Sequence, residues 1–232
     1  MRLRPLLLPL GLALAAILLW SSIAVFPLKI FVVTLHEISH GLAAVLTGGR
    51  IERIELRSNE GGLCVTRGGW PFLVISAGYL GSMFWGAVLL VLGTRTRGDR
   101  GIVAAIGVLM LGVTLLWIRT LFGFVFGILW GAALLGVAAK LPARVSRVLL
   151  QTMGVVSCLY AVADIGSDVI ARSVPGSDAS ALARLTGIPA IVWGLVWIAA
   201  SIAVAIVALA VASRPGAADR PGTSPGAPDR IR

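Results

Sequence analysis

Residues 101–139 read GIVAAIGVLMLGVTLLWIRTLFGFVFGILWGAALLGVAA, and Arg119 is the one charged side chain in the stretch. As a single helix it would be about 58 Å long at about 1.5 Å per residue, nearly twice the hydrocarbon thickness of a bilayer. Two helices turning at Arg119-Thr120 resolve the mismatch, because each half approaches the roughly 20 apolar residues that a span needs. The stretch therefore predicts a helical hairpin inside a membrane.

The same pattern continues on both sides. Toward the C-terminus, Lys140, Arg144 and Arg147 mark a loop, and helices are expected over about Val148 to Ile170 and Ile188 to Val211. Toward the N-terminus, one helix is expected from about Trp70 to Leu92. Its Gly78, Gly81, Ser82 and Gly86 would let helices pack closely in lipid. Another covers about Pro27 to Thr47 and ends at Gly48-Gly49, as helices often end at glycine. The first apolar run, Leu6 to about Phe26, follows Arg2 and Arg4. A cleaved signal peptide is the alternative there, since Ser22-Ile23-Ala24 offers a small-x-small site, but the length of the run favours a retained helix.

Composition agrees. The chain has 232 residues, 58% hydrophobic and only 13% charged, with a mean hydropathy of +0.96. Soluble domains are closer to a quarter charged. The expected fold class is an all-α polytopic membrane protein, multi-pass in the cell membrane, with six or seven transmembrane helices. A transmembrane domain over residues 1–213 would carry one polar insert, residues 48–69. In it Ile51 to Leu56 and Leu63 to Thr66 flank Glu60-Gly61-Gly62, the pattern of a short β-hairpin. Residues 214–232, rich in Pro, Gly, Asp and Arg, are expected to be a disordered tail.

The formal net charge of +10 sits in short loops between apolar runs, without a basic stripe interleaved with aromatics. That placement suits anionic lipid headgroups and argues against nucleic acid as a partner. Cys64 and Cys158 lie in different segments and form no metal-binding or disulfide framework.

The chemistry concentrates in His36-Glu37-Ile38-Ser39-His40, which contains both histidines of the chain. At helical spacing i and i+4, His36 and His40 share a face and can present ring nitrogens to one metal ion. Glu37, about 100° round the helix, stands beside rather than opposite that ion and can act as general base toward a water that zinc (Zn2+) holds. A structural reading would have the two histidines make interhelical hydrogen bonds, but a charged side chain in mid-membrane is costly, so Glu37 between them in an apolar helix calls for a compensating partner and favours a metal site. A catalytic zinc usually takes a third protein ligand. Asp164 and Asp168, four residues apart on an apolar helix, are candidates, although Asp168 would also suit the membrane edge. Asp178, in Gly176-Ser177-Asp178-Ala179, reads first as a helix or turn cap and only secondarily as a ligand. Arg119 reads first as an interfacial turn residue and only secondarily as a partner to a site carboxylate.

HEISHGLAAVLTGG (from His36), the glycine-containing hairpin and SAGYLGS (Ser76 to Ser82) resemble the M50 intramembrane metallopeptidases. Tyr160 to Asp168, Ser177-Asp178-Ala179 and WGLVW (Trp193 to Trp197) look closest to the M50B-like branch, related to site-2 proteases. The similarity covers roughly residues 25–200. It implies zinc held by His36 and His40, Glu37 as the catalytic base, and a third ligand from an aspartate on a later transmembrane helix, for which Asp164 is the choice. The chain departs from the better-studied branch in lacking an Asn-Pro…Leu-Asp-Gly motif. The expected activity is zinc-dependent hydrolysis of a peptide bond in a membrane-embedded or juxtamembrane protein or peptide. The rival reading is a non-proteolytic metal-binding scaffold or ion transporter, since intramembrane ionisable residues serve ion paths too. A base directly after the first histidine favours the peptidase.

Overall fold

The computed structural model describes residues 4–171 and 176–214. The expected disordered tail, residues 214–232, lies outside the described residues apart from Arg214. In chain order the elements are α1 (Arg4–Leu18), α2 (Phe26–Leu46), β1 (Arg50–Leu56), β2 (Gly62–Arg67), α3 (Pro71–Arg95), α4 (Asp99–Trp117), α5 (Leu121–Lys140), α6 (Ala143–Ile165), α7 (Asp178–Thr186) and α8 (Ala190–Ala212). Six of these helices, α2 to α6 and α8, are long and apolar enough to cross a membrane, and α1 is a shorter apolar helix. The chain is an integral membrane protein.

The turn expected at Arg119 is present: α4 stops at Trp117 and α5 starts at Leu121. Arg119 is part of what stops α4. Its guanidinium folds back onto the carbonyls of Leu115, Leu116 and Ile118, which would otherwise lack partners at the helix end. Prolines mark the helix starts. They occupy the first turn of α2 and α3, where a missing N–H costs nothing, and Pro142 and Pro189 immediately precede α6 and α8.

Small residues bring α3 and α6 together. A Cβ on Gly154 would stand 2.5 Å from the Leu90 nitrogen, and one on Gly86 would stand 2.7 Å from Ser157 Cβ. Backbone contact of this kind is what holds helices together where lipid removes the hydrophobic drive. Asp99 is fully buried, and Arg147 of α6 reaches across to it at 2.9 Å. Arg100 donates to the Leu141 carbonyl, so the α3–α4 and α5–α6 connections share one end of the bundle.

Two features were not anticipated. The end of α6 widens into a π-helical turn, Gly166–Ala171, a form often found at functional sites. Beyond it the short helix α7 interrupts the segment that had read as a loop.

The polar insert forms the expected hairpin. β1 pairs antiparallel with β2 from Arg50↔Arg67 to Leu56↔Gly62, with an irregularity between Ile51 and Arg53. Arg53 and Arg67 pair with Glu55 and Glu52 at 2.9 and 3.0 Å, and the Arg53 hydrogen bond holds the Glu55 carboxyl below its ordinary pKa. The hairpin runs back along α2. Ile51 lies on Gly41, Gly62 lies on Glu37, and Glu60 at the tip meets Lys29. The outer side of β1 is taken by the α4–α5 turn, where Arg119 N donates to the Ile54 carbonyl at 3.0 Å and Thr120 Oγ1 donates to the Leu56 carbonyl at 2.8 Å.

Candidate metal centre

The site begins with α2. Its helical spacing puts His36 and His40 on one face, with ring centroids 4.8 Å apart. His40 Nδ1 lies 2.6 Å from the Val74 carbonyl. A carbonyl only accepts, so Nδ1 carries the proton and donates, and Nε2 of the neutral ring presents its lone pair to the site. His36 is fixed by edge packing against Tyr79, with ring centroids 5.0 Å apart.

The third arm is Asp178, the first residue of α7. Ser177 caps that helix, its side chain accepting from the Ser180 amide, and so turns Asp178 toward α2. Asp178 Oδ2 stands 3.1 Å from His36 Nε2 and 3.3 Å from His40 Nε2. No donor satisfies this buried oxygen with hydrogen-bond geometry. Burial opposes ionisation of the Asp178 carboxyl, and only positive charge beside it, on protonated His40 and His36 or on a bound cation, holds its pKa low. An ionised oxygen facing two nitrogen lone pairs is repulsive unless a cation lies among them.

The space for that cation exists. An added Cβ at Gly78, on α3, would stand 2.5 Å from both Asp178 Oδ2 and His40 Nε2, and closer still to His36 Nε2. Nitrogen and oxygen ligands at about 2.0–2.1 Å from a tetrahedral zinc are about 3.3 Å apart, which the separations to Asp178 match. His36, His40 and Asp178 form the one group of three such residues among the described residues with ligand atoms all within 4.8 Å of one another. The donor set suits zinc.

Asp164 is not in that group. It lines the same cavity, as does Asp168, whose Oδ2 accepts from Tyr79 Oη at 3.0 Å. Asp168 is therefore drawn inward by Tyr79 rather than left at a membrane edge. Arg119 is where the sequence put it, in the turn between α4 and α5.

Glu37 is buried and faces the hairpin, where the main chain at Gly62 and Cys64 closes over its carboxyl. The Cys64 thiol is pushed up to about 12 by burial, with the Glu37 charge adding to it, so it stays protonated and is a poor metal ligand or nucleophile. His36, Glu37, His40 and Asp178 all open onto a cavity of about 720 Å³, walled by β2, Tyr79, Tyr160, Asp164 and Asp168.

A family model described as Peptidase M50B-like matches residues 10–208. This chain belongs to that family of membrane peptidases. No curated protein and no solved structure matches it. The matched range runs from α1 to α8, so it contains the whole cavity.

Proposed function

We propose that the chain is a zinc-dependent intramembrane peptidase in which His36, His40 and Asp178 hold the metal and Glu37 is the general base. The observation that carries this reading is the convergence of three ligand atoms on a space that fits a zinc ion, one helical position away from a buried glutamate. Zinc bound there would polarise the scissile carbonyl and make a water acidic enough to lose a proton near neutral pH.

The residues of the chain supply the rest. Glu37 accepts a proton from the attacking water as oxygen bonds to the carbonyl carbon, and returns it to the amide nitrogen as the C–N bond breaks. The products are a carboxylic acid and an amine, and Glu37 ends in its starting state. Val74 keeps His40 in the tautomer that presents Nε2. Tyr79 packs on His36 and holds Asp168, so one side chain ties α3 to both walls of the site.

Substrate is a membrane-embedded or juxtamembrane segment, taken as an extended strand. The outer edge of β1 is occupied by Ile118 to Thr120, which leaves the outer edge of β2, beside Glu37, for main-chain pairing. Strand addition binds by backbone hydrogen bonds and asks little of the substrate's side chains.

Two tests bear on the metal. Treating the purified protein with a chelator should abolish cleavage, and adding back zinc should restore it. Cleavage that persists once metal analysis shows none left removes the zinc from the mechanism. Gly78→Ala should place a methyl among the ligand atoms and weaken zinc binding by roughly tenfold or more. Metal content of the purified variant measures this, and a stoichiometric value would mean that the ion sits elsewhere.

A further inference from the structure

Lys29 is a buried cation, 7% exposed, in an apolar helix seven residues before His36. A charge in such a place is expensive and signals a role. Its ammonium donates to Glu60 Oε1 at 3.1 Å and lies 4.9 Å from the centre of the Trp20 ring. Glu60 occupies the hairpin tip with φ of 64°, the one non-glycine residue at positive φ among the described residues. A side chain held in the left-handed region needs something to hold it there.

Two residues farther along is Gly62, whose α-carbon rests on the Glu37 carboxyl so closely that a Cβ would overlap it. Trp20 and Glu60 also line a second cavity of about 360 Å³ beside the catalytic one, together with Ser22, Ile23, Phe26 and Lys29. They stand between the two spaces. That wall is made by the hairpin tip and the α1–α2 turn.

We propose that Lys29 is a positioning residue for peptide cleavage, and that through Glu60 it pins the hairpin tip so that β2 presents its edge in register with Glu37. The proposal rests on the peptidase reading. Lys29 touches neither metal ligand nor substrate and acts by where it places β2. With the pair intact the hairpin is fixed at both ends, by Lys29 at the tip and, at its base, by Thr47, whose Oγ1 accepts from the Trp70 amide at 2.9 Å. With the pair broken, the tip keeps only the contact of Glu60 with the Tyr160 hydroxyl, besides the ties at the base and the middle.

The rival role for the pair is neutralisation of a buried charge, and the double variant Lys29→Met/Glu60→Gln separates the two. It keeps side chains of similar size and leaves no unpaired charge. Glu60→Gln alone strands a buried ammonium and is expected to unfold more easily than the wild type. The double variant should recover thermal stability and retain zinc. It should nevertheless show an apparent KM raised roughly tenfold or more, with kcat changed far less, because strand capture is weakened while the base and metal are intact. Hydrogen exchange at the β2 amides, read in the same detergent or bilayer, should be faster than in the wild type. That readout needs no catalysis, so it stands even if no cleavage is found for any form. Wild-type exchange and wild-type KM in the double variant would overturn the proposal and leave only charge neutralisation. A charge-swapped pair, Lys29→Glu/Glu60→Lys, should move exchange back toward wild type, and failure to do so counts against the tip contact.

Discussion

Asp178→Ala should purify with its zinc lost, while Asp164→Ala should hold zinc close to the wild-type amount. Asp178 Oδ2 lies within 3.3 Å of both imidazole Nε2 atoms and has no hydrogen-bond donor, whereas Asp164 lines the cavity outside that cluster. Replacing a residue that only hydrogen-bonds to a metal ligand already lowers zinc affinity by about 10–100-fold, so loss of a direct ligand from a three-ligand site should cost at least roughly a hundredfold. Asp178→Asn sharpens the test. It keeps the shape of the side chain and its place at the start of α7 but removes the negative charge, and it should fall well below wild type in affinity. Metal analysis after dialysis against a weak chelator gives the result without any substrate. If Asp164→Ala loses the metal and Asp178→Ala keeps it, the ligand set is the one expected from the sequence and the described geometry is not the zinc-loaded one.

The reason for that difference is physical. Helix positions follow from apolar length, and a motif such as His36 to His40 carries its geometry within a single turn of helix, so both were readable from the chain. The turn at Arg119 was readable because a bilayer has a fixed thickness. The hairpin was readable from turn residues between two short apolar runs. The proposed third ligand was not, because its place depends on the path of a connection. Asp164, a costly residue in an apolar helix, lines the cavity together with Asp168, Tyr79 and Tyr160, outside the group formed by His36, His40 and Asp178. Asp178 looked like a cap because Ser177-Asp178 is a helix start, and it is one. What the residues do not announce is that α7 folds back so that its first turn points at α2. One signal was available: Gly78 in SAGYLGS, assigned to packing, is where α3 leaves room for an ion as well as for α2.

Glu37→Gln should keep the metal and lose the reaction. The amide has the size of the carboxylate and cannot take a proton from water at neutral pH. His36, His40 and Asp178 are untouched, so zinc content should stay at the wild-type level. Cleavage should fall by a factor of about 10² or more, the usual contribution of a general base. His36→Ala should instead lose both, since two ligands hold zinc poorly. The contrast between the two variants is what separates a peptidase from a metal-binding scaffold or a transporter. A scaffold needs the ligands but has no use for a base one residue after His36, so in it Glu37→Gln would be silent. A substrate can be found by comparing membrane-protein fragments from cells that carry wild type or Glu37→Gln, because products of the enzyme appear in the first and not in the second. Identical fragment patterns, together with stoichiometric zinc in both proteins, would end the peptidase reading and leave His36, His40 and Asp178 as a metal site with another purpose.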